Sequence, residues 1–120
     1  MNSRVLIVDS AYLVAMDIER VLKTVLICDV ELGTPGTLGK TLSMAPFEVV
    51  ILEADAYPDT LAEVLSTVLT VGTRLILTTT NIEFADGIPN YGHYPVLVKP
   101  FDDARLTHLI KTSNISFGHA

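Results

Sequence analysis

The stretch "FEVVILEAD", Phe47 to Asp55, runs four apolar residues into an acid, Glu53, and places a second acid two residues on. An unbroken aliphatic run with no polar alternation reads as a strand covered on both faces, the pattern of a parallel sheet. A carboxylate closing such a run must find a partner, because an unpaired charge is costly to bury. In open α/β sheets the carboxyl ends of the strands gather at one edge, where functional groups collect.

Runs of the same kind recur at "RVLIVD" (4–9), "VLICDVEL" (25–32), "RLILTT" (74–79) and "PVLV" (95–98). Helical patterns fill the gaps. Over 11–25, Leu13, Val14, Ile18, Val21, Leu22 and Val25 share a face, Ser10 is placed to cap the start, and Glu19 and Lys23 form a favourable i,i+4 pair. A second helix is predicted over 35–45, with Thr34 as cap and Pro35 at its first position. A third runs from about Pro58 to Leu69 on Leu61, Val64, Leu65 and Val68. The last opens at Asp102, where Phe101 and Leu106 are spaced for a hydrophobic staple and Leu106, Leu109 and Ile110 face the core.

The segment "NIEFADGIPNYGHY" (81–94) is interrupted by Gly87, Pro89 and Gly92, which predicts a short helix followed by a loop, with few apolar anchors and the greatest mobility in the domain. Strands alternating with helices predict an α/β fold, a flavodoxin-like doubly wound five-stranded parallel sheet in the order 2-1-3-4-5 with its fourth helix short or irregular.

The 120 residues suffice for a single domain, 1–120, without an output domain. Hydrophobic residues make up 49% and charged residues 18%, the balance of a folded chain, and a mean hydropathy of +0.45 fits a sheet buried on both faces. A net charge of −6 without a Lys/Arg cluster argues against nucleic-acid binding. No apolar run reaches membrane-spanning length. Cys28 has no partner for a disulfide, and His93, His108 and His119 are too scattered for a metal motif, so a reducing cytoplasm is the expected setting. Met1 and the ragged "SNISFGHA" end are expected of a whole gene product. "GTPGTLGKT" (33–41) imitates a phosphate-binding loop, but Thr34 stands where glycine is required and Pro35 removes an amide from the cradle.

At the strand ends stand Asp9 and Ser10, then Glu53, then Thr79, then Lys99 before Pro100. With "VLVKPF" closing the fifth strand, the chain from Arg4 to about Lys111 resembles the receiver domain of bacterial two-component response regulators. The resemblance implies a cis peptide bond at the Lys-Pro pair. It also implies an acidic pair after the first strand and an aspartate after the third that hold Mg²⁺, the aspartate accepting a phosphoryl group from a histidine kinase. A Thr or Ser after the fourth strand and the Lys then bind the phosphoryl oxygens.

Asp9, Thr79 and Lys99 match this pattern, whereas Ser10 replaces the second acid and Glu53 the phosphoacceptor. A hydroxyl is a poor ligand for a hard dication, and the extra methylene of Glu53 shifts its carboxylate out of register. Val96 stands where the family carries an aromatic switch residue, and Tyr94 is expected to point from the wrong register to replace it. The sequence therefore predicts a degenerate pocket of Asp9, Ser10, Glu53, Thr79 and Lys99, with weak or no Mg²⁺ binding and no catalytic residue.

Glu53 is expected to reach toward Thr79 and Lys99 and imitate a phosphoryl group. The expected role is a receiver-like interaction module, with a phosphoacceptor using Glu53 or Asp55, or a small-anion binder at Lys99, as alternatives. Implied partners are a histidine kinase, a phosphotransfer protein, another regulator, or a second copy through the 81–113 face.

Overall fold

A parallel strand can be reached only by a crossover, and each crossover here carries the chain over one face of the sheet before the next strand is laid down. The computed structural model describes residues 3–44, 46–69 and 73–112. Strands β1 (Ser3–Val8), β2 (Cys28–Gly33), β3 (Val49–Glu53), β4 (Arg74–Thr79) and β5 (Val96–Val98) alternate with helices α1 (Tyr12–Val25), α2 (Leu38–Met44), α3 (Leu61–Val68) and α4 (Asp103–Thr112). All four strand pairings are parallel and the order is β2-β1-β3-β4-β5, as the sequence predicts.

Period-2 alternation divides the aliphatic runs between two cores. Val5, Ile7, Val49, Ile51, Ile76 and Leu97 pack with Ile18 and Leu22 of α1 and with Leu106, Leu109 and Ile110 of α4. Leu6, Val8, Val50, Leu52, Leu77 and Val96 face the other way, onto Leu38, Leu65 and Val68. Both faces are covered, which is why the strands read as continuous apolar runs.

The helices depart from the sequence reading in three places. In α1, Leu13 is 80% exposed and Ala15 lies buried with Ile18, Val21 and Leu22, while Val14 is only partly covered. Leu13 is five residues before Ile18, about 140° round the helix, too far for one stripe. The predicted helix 35–45 is a 3-10 turn, Pro35–Thr37, running into α2, with the Thr37 hydroxyl accepting the Thr34 N–H at 3.2 Å; residue 45 lies outside the described residues. The third helix begins at Leu61 rather than Pro58, because Ala54–Ala56 form a 3-10 turn and Pro58–Thr60 a further turn, as Pro-Asp-Thr composition favours.

Residues 81–94 form no α-helix. A 3-10 turn at Ile82–Phe84 is followed by single turns, so the fourth helix of the sequence reading is reduced to one turn. The segment is nevertheless anchored, contrary to the sequence reading. Ile88 is buried, and Phe84, Tyr91 and Tyr94 pack against the core on the α2–α3 side. Gly87 has φ 138°, and a Cβ there would stand 3.1 Å from the Gly92 Cα, so the doubled-back loop requires glycine. At α4 the Asp102 carboxylate accepts the Arg105 N–H at 2.7 Å, and Phe101 and Leu106 occupy staple positions. The Lys99–Pro100 peptide bond is cis.

Leu97→Ala, in a fully buried position, is expected to cost about 2–5 kcal/mol in urea unfolding, whereas Arg20→Ala, which breaks an exposed bidentate pair to Asp103, should leave the midpoint nearly unmoved. Amide exchange across 81–94 should be faster than in α1, since its bonds close single turns; equal protection would contradict the assignment.

Candidate functional site

The register that divides the cores also sorts the polar strand ends. Glu53 pairs with Thr78, Thr78 with Leu97, and Ile51 with Ile7, so Asp9, Glu53, Thr78 and Lys99 share the sheet face that carries α1 and α4. Two backbone bonds extend the ladders past the strand ends: Asp9 N–H donates to the Gly33 carbonyl at 3.2 Å and Lys99 N–H to the Thr79 carbonyl at 2.8 Å.

At that edge the Lys99 ammonium donates to Asp9 Oδ2 and to Glu53 Oε2, each at 2.9 Å. The remaining carboxylate oxygens are also engaged. Glu53 Oε1 accepts the Ser10 N–H at 3.0 Å and the Ser10 hydroxyl at 2.8 Å, and Asp9 Oδ1 accepts the Ala11 N–H at 2.7 Å. The side chains are 1% (Asp9), 10% (Lys99) and 11% (Glu53) exposed. Charge-assisted bonds to every carboxylate oxygen make this burial tolerable.

Ser10 does not cap α1. The residue before the helix is Ala11, and Ser10 uses both its donors to hold Glu53. Thr79 does not meet Glu53 either. It lies on the opposite face, with its hydroxyl donating to Asp55 Oδ1 at 2.7 Å and accepting the Asn81 N–H at 3.1 Å. Asp55 Oδ2 takes the Thr80 N–H at 2.8 Å and the Thr80 hydroxyl at 3.0 Å. The 3-10 turn after β3 thus delivers a second carboxylate to the end of β4.

The threonine facing the Glu53 side is Thr78. It is buried, and its hydroxyl has no hydrogen-bond partner among the described residues. Three consecutive threonines hide which of them faces the acid, and the pairing of Glu53 with Thr78 decides it. Val96 is buried with Leu77, on the face away from the lysine. Tyr94, two residues earlier, packs on that same side and not from an opposed register.

Burial opposes ionisation of Glu53, but the hydrogen bonds from Lys99 and Ser10 outweigh it and hold the carboxyl below its ordinary range. Burial likewise disfavours the Lys99 ammonium, and its bonds to Asp9 and Glu53 more than compensate, raising its pKa. At Asp55 burial is again overcome, by the Thr80 N–H and the two threonine hydroxyls, and the carboxyl is depressed.

No protein-family model matches the chain, and no curated protein does. Solved structures do. The signal receiver domain of a putative Luxo repressor protein from Vibrio parahaemolyticus superposes with TM-score 0.74 at 19% identity, over 94% of this chain and 90% of that one. The REC domain of RcsB from Salmonella enterica serovar Typhimurium, solved with the phosphomimetic BeF3−, gives 0.73 at 19% identity over 92% and 87%. A CheY-like response regulator receiver domain from Methylobacillus flagellatus gives 0.72 at 16% over 95% and 100%. The chain has the receiver-domain fold.

The Mg²⁺ implied by a receiver is a poor fit to these residues. Two carboxylates and a hydroxyl face the pocket; the carboxylate oxygens already accept protein donors, the hydroxyl donates to Glu53, and the lysine supplies the positive charge between the acids. A dication would have to displace Lys99 and, among the described residues, would find no third carboxylate there.

The depressed Glu53 contributes stability that is complete above its unfolded pKa of about 4.3 and is lost as pH falls through the folded value. The raised Lys99 contributes fully below its unfolded value of about 10.4, and that share disappears as pH rises through the folded one. Glu53→Gln should therefore destabilise the domain by about 1–3 kcal/mol at neutral pH, and the difference should shrink below about pH 4. A pH-independent gap in urea unfolding would place Glu53 outside the network.

Proposed function

We propose that the chain is a pseudo-receiver, a cytoplasmic interaction module of two-component signalling that works without Mg²⁺-dependent aspartyl phosphorylation and carries no catalytic residue. The observation that carries this reading is the Glu53 carboxylate bonded to both Lys99 and Ser10. Its negative charge occupies the lysine that would otherwise meet a phosphoryl oxygen, so Glu53 acts as a built-in imitation of the phosphorylated state.

Two further features support the proposal. Asp55 holds Thr79 and Thr80, so the end of β4 is drawn to a fixed carboxylate without an added group. Beside Ser10, α1 presents Tyr12 (60% exposed), Leu13 (80%) and Met16 (45%), an apolar surface for a histidine kinase, a phosphotransfer protein or another regulator. Self-association through the 81–113 face is the other mode of output; residue 113 lies outside the described residues. Among the described residues no helix is long and apolar enough to cross a membrane.

Incubation of the chain with acetyl phosphate and Mg²⁺ should give no acid-labile mass increase, and calorimetry should show no sub-millimolar Mg²⁺ binding. In Ser10→Asp/Glu53→Asp, three carboxylates surround Lys99, and Mg²⁺ binding followed by phosphorylation should appear. An acid-labile adduct on wild-type Glu53 or Asp55 would instead establish a working phosphoacceptor. A folded double variant that binds no Mg²⁺ would show that positions 9, 10 and 53 do not occupy receiver sites.

A further inference from the structure

Where other crossovers of this sheet place a helix, the segment between β4 and β5 forms turns, and a groove of about 510 Å³ opens between it and the β3–α3 connection. The groove lies outside the Lys99 pocket. Its walls are aromatic and aliphatic: Tyr57, Phe84 and Tyr91 stand around Leu61 and the buried Ile88. Tyr57 is fixed by a 2.9 Å bond from its hydroxyl to the Pro35 carbonyl, so this wall is preorganised.

The rim is anionic. Asp55 and Asp59 stand in its wall, Glu63, Glu83 and Asp86 lie within two residues of lining positions in the sequence, and Arg74 is the one Lys or Arg from Thr41 to Val98. Arg74 begins β4 at the opposite edge of the sheet, and Lys99 is committed to Asp9 and Glu53. Asp59 borders the groove, is exposed, and has no cation in ion-pair distance among the described residues. An acidic rim over aromatic faces suits a planar cation on an apolar stem, which stacks on a ring while its charge meets the carboxylate.

The geometry points to this groove as the docking site for a basic, arginine-bearing segment of a partner protein. The site goes beyond the pseudo-receiver reading, because it uses none of the Asp9, Glu53 and Lys99 contacts. The two can fail separately.

The test is an NMR titration of the ¹⁵N-labelled chain with a capped hexa-arginine peptide. Shifts should concentrate at 54–62 and 84–91, leaving Ser10 and Lys99 unmoved, and hexa-lysine should bind several-fold more weakly. Asp59→Lys should weaken binding about tenfold, while Glu31→Lys, the same charge change on the far edge strand β2, should alter it less than twofold. Shifts scattered over all acidic surfaces, or equal effects of the two substitutions, would reduce the binding to nonspecific attraction and overturn the assignment. Chemical shifts of both variants away from the substituted residue establish that each is folded.

Discussion

One ammonium group ties together three strands. Lys99 follows β5, yet its Nζ reaches Glu53 at the end of β3, on the far side of β4, and Asp9 at the end of β1. A lone charge at this depth would be severely penalised, and so would either acid without the lysine. The arrangement persists because each oxygen has a donor: the Lys99 ammonium serves one oxygen of each acid, and the Ser10 and Ala11 amides with the Ser10 hydroxyl serve the others. The strand register, the Ser10–Ala11 turn and the course of the chain past Lys99 all serve that requirement.

Two acids separated only by Ala54 divide the edge between them. Glu53 stays on the lysine side with Ser10, while the 3-10 turn carries Asp55 round to Thr79 and Thr80. A charge reaching the pocket from outside would meet a lysine already paired and a β4 end already held. On the proposed reading, the domain is fixed in one signalling posture by its own carboxylates, and regulation would come from which partner is present.

The fold was legible because burial on both faces leaves a plain mark in β1, β3, β4 and β5, aliphatic runs that stop at polar residues; the run at 25–32 marked β2 less closely, since Val25 closes α1 and the edge strand Cys28–Gly33 is only partly covered. The Lys99–Glu53 contact was legible too, since both residues lie at strand ends of one parallel sheet. Thr78 was not, because in "TTT" the side facing the lysine depends on register, which only the ladder with Glu53 supplies. Ser10 resembled a helix cap because serine before a helix usually is one; the competing carboxylate lies 43 residues away in sequence. Asp55 stood out in the sequence only as an alternative acceptor, and its capture of two threonines depends on a turn that no periodicity announces. Leu13 was placed inside because the chosen apolar face was wider than the sheet can cover.

The central claim is that the Glu53 carboxylate is ionised and bound between Lys99 and Ser10, and direct observation of its titration tests it. In ¹³C-labelled protein the Glu53 side-chain carboxyl signal should titrate below the ordinary glutamate value of about 4.3. The Lys99 ammonium should give a slowly exchanging signal that is lost as Glu53 protonates. A Glu53 that titrates at or above the ordinary value, with the Lys99 signal unaffected, would contradict the account, because the carboxylate would then stand apart from the lysine and the serine that define the pocket.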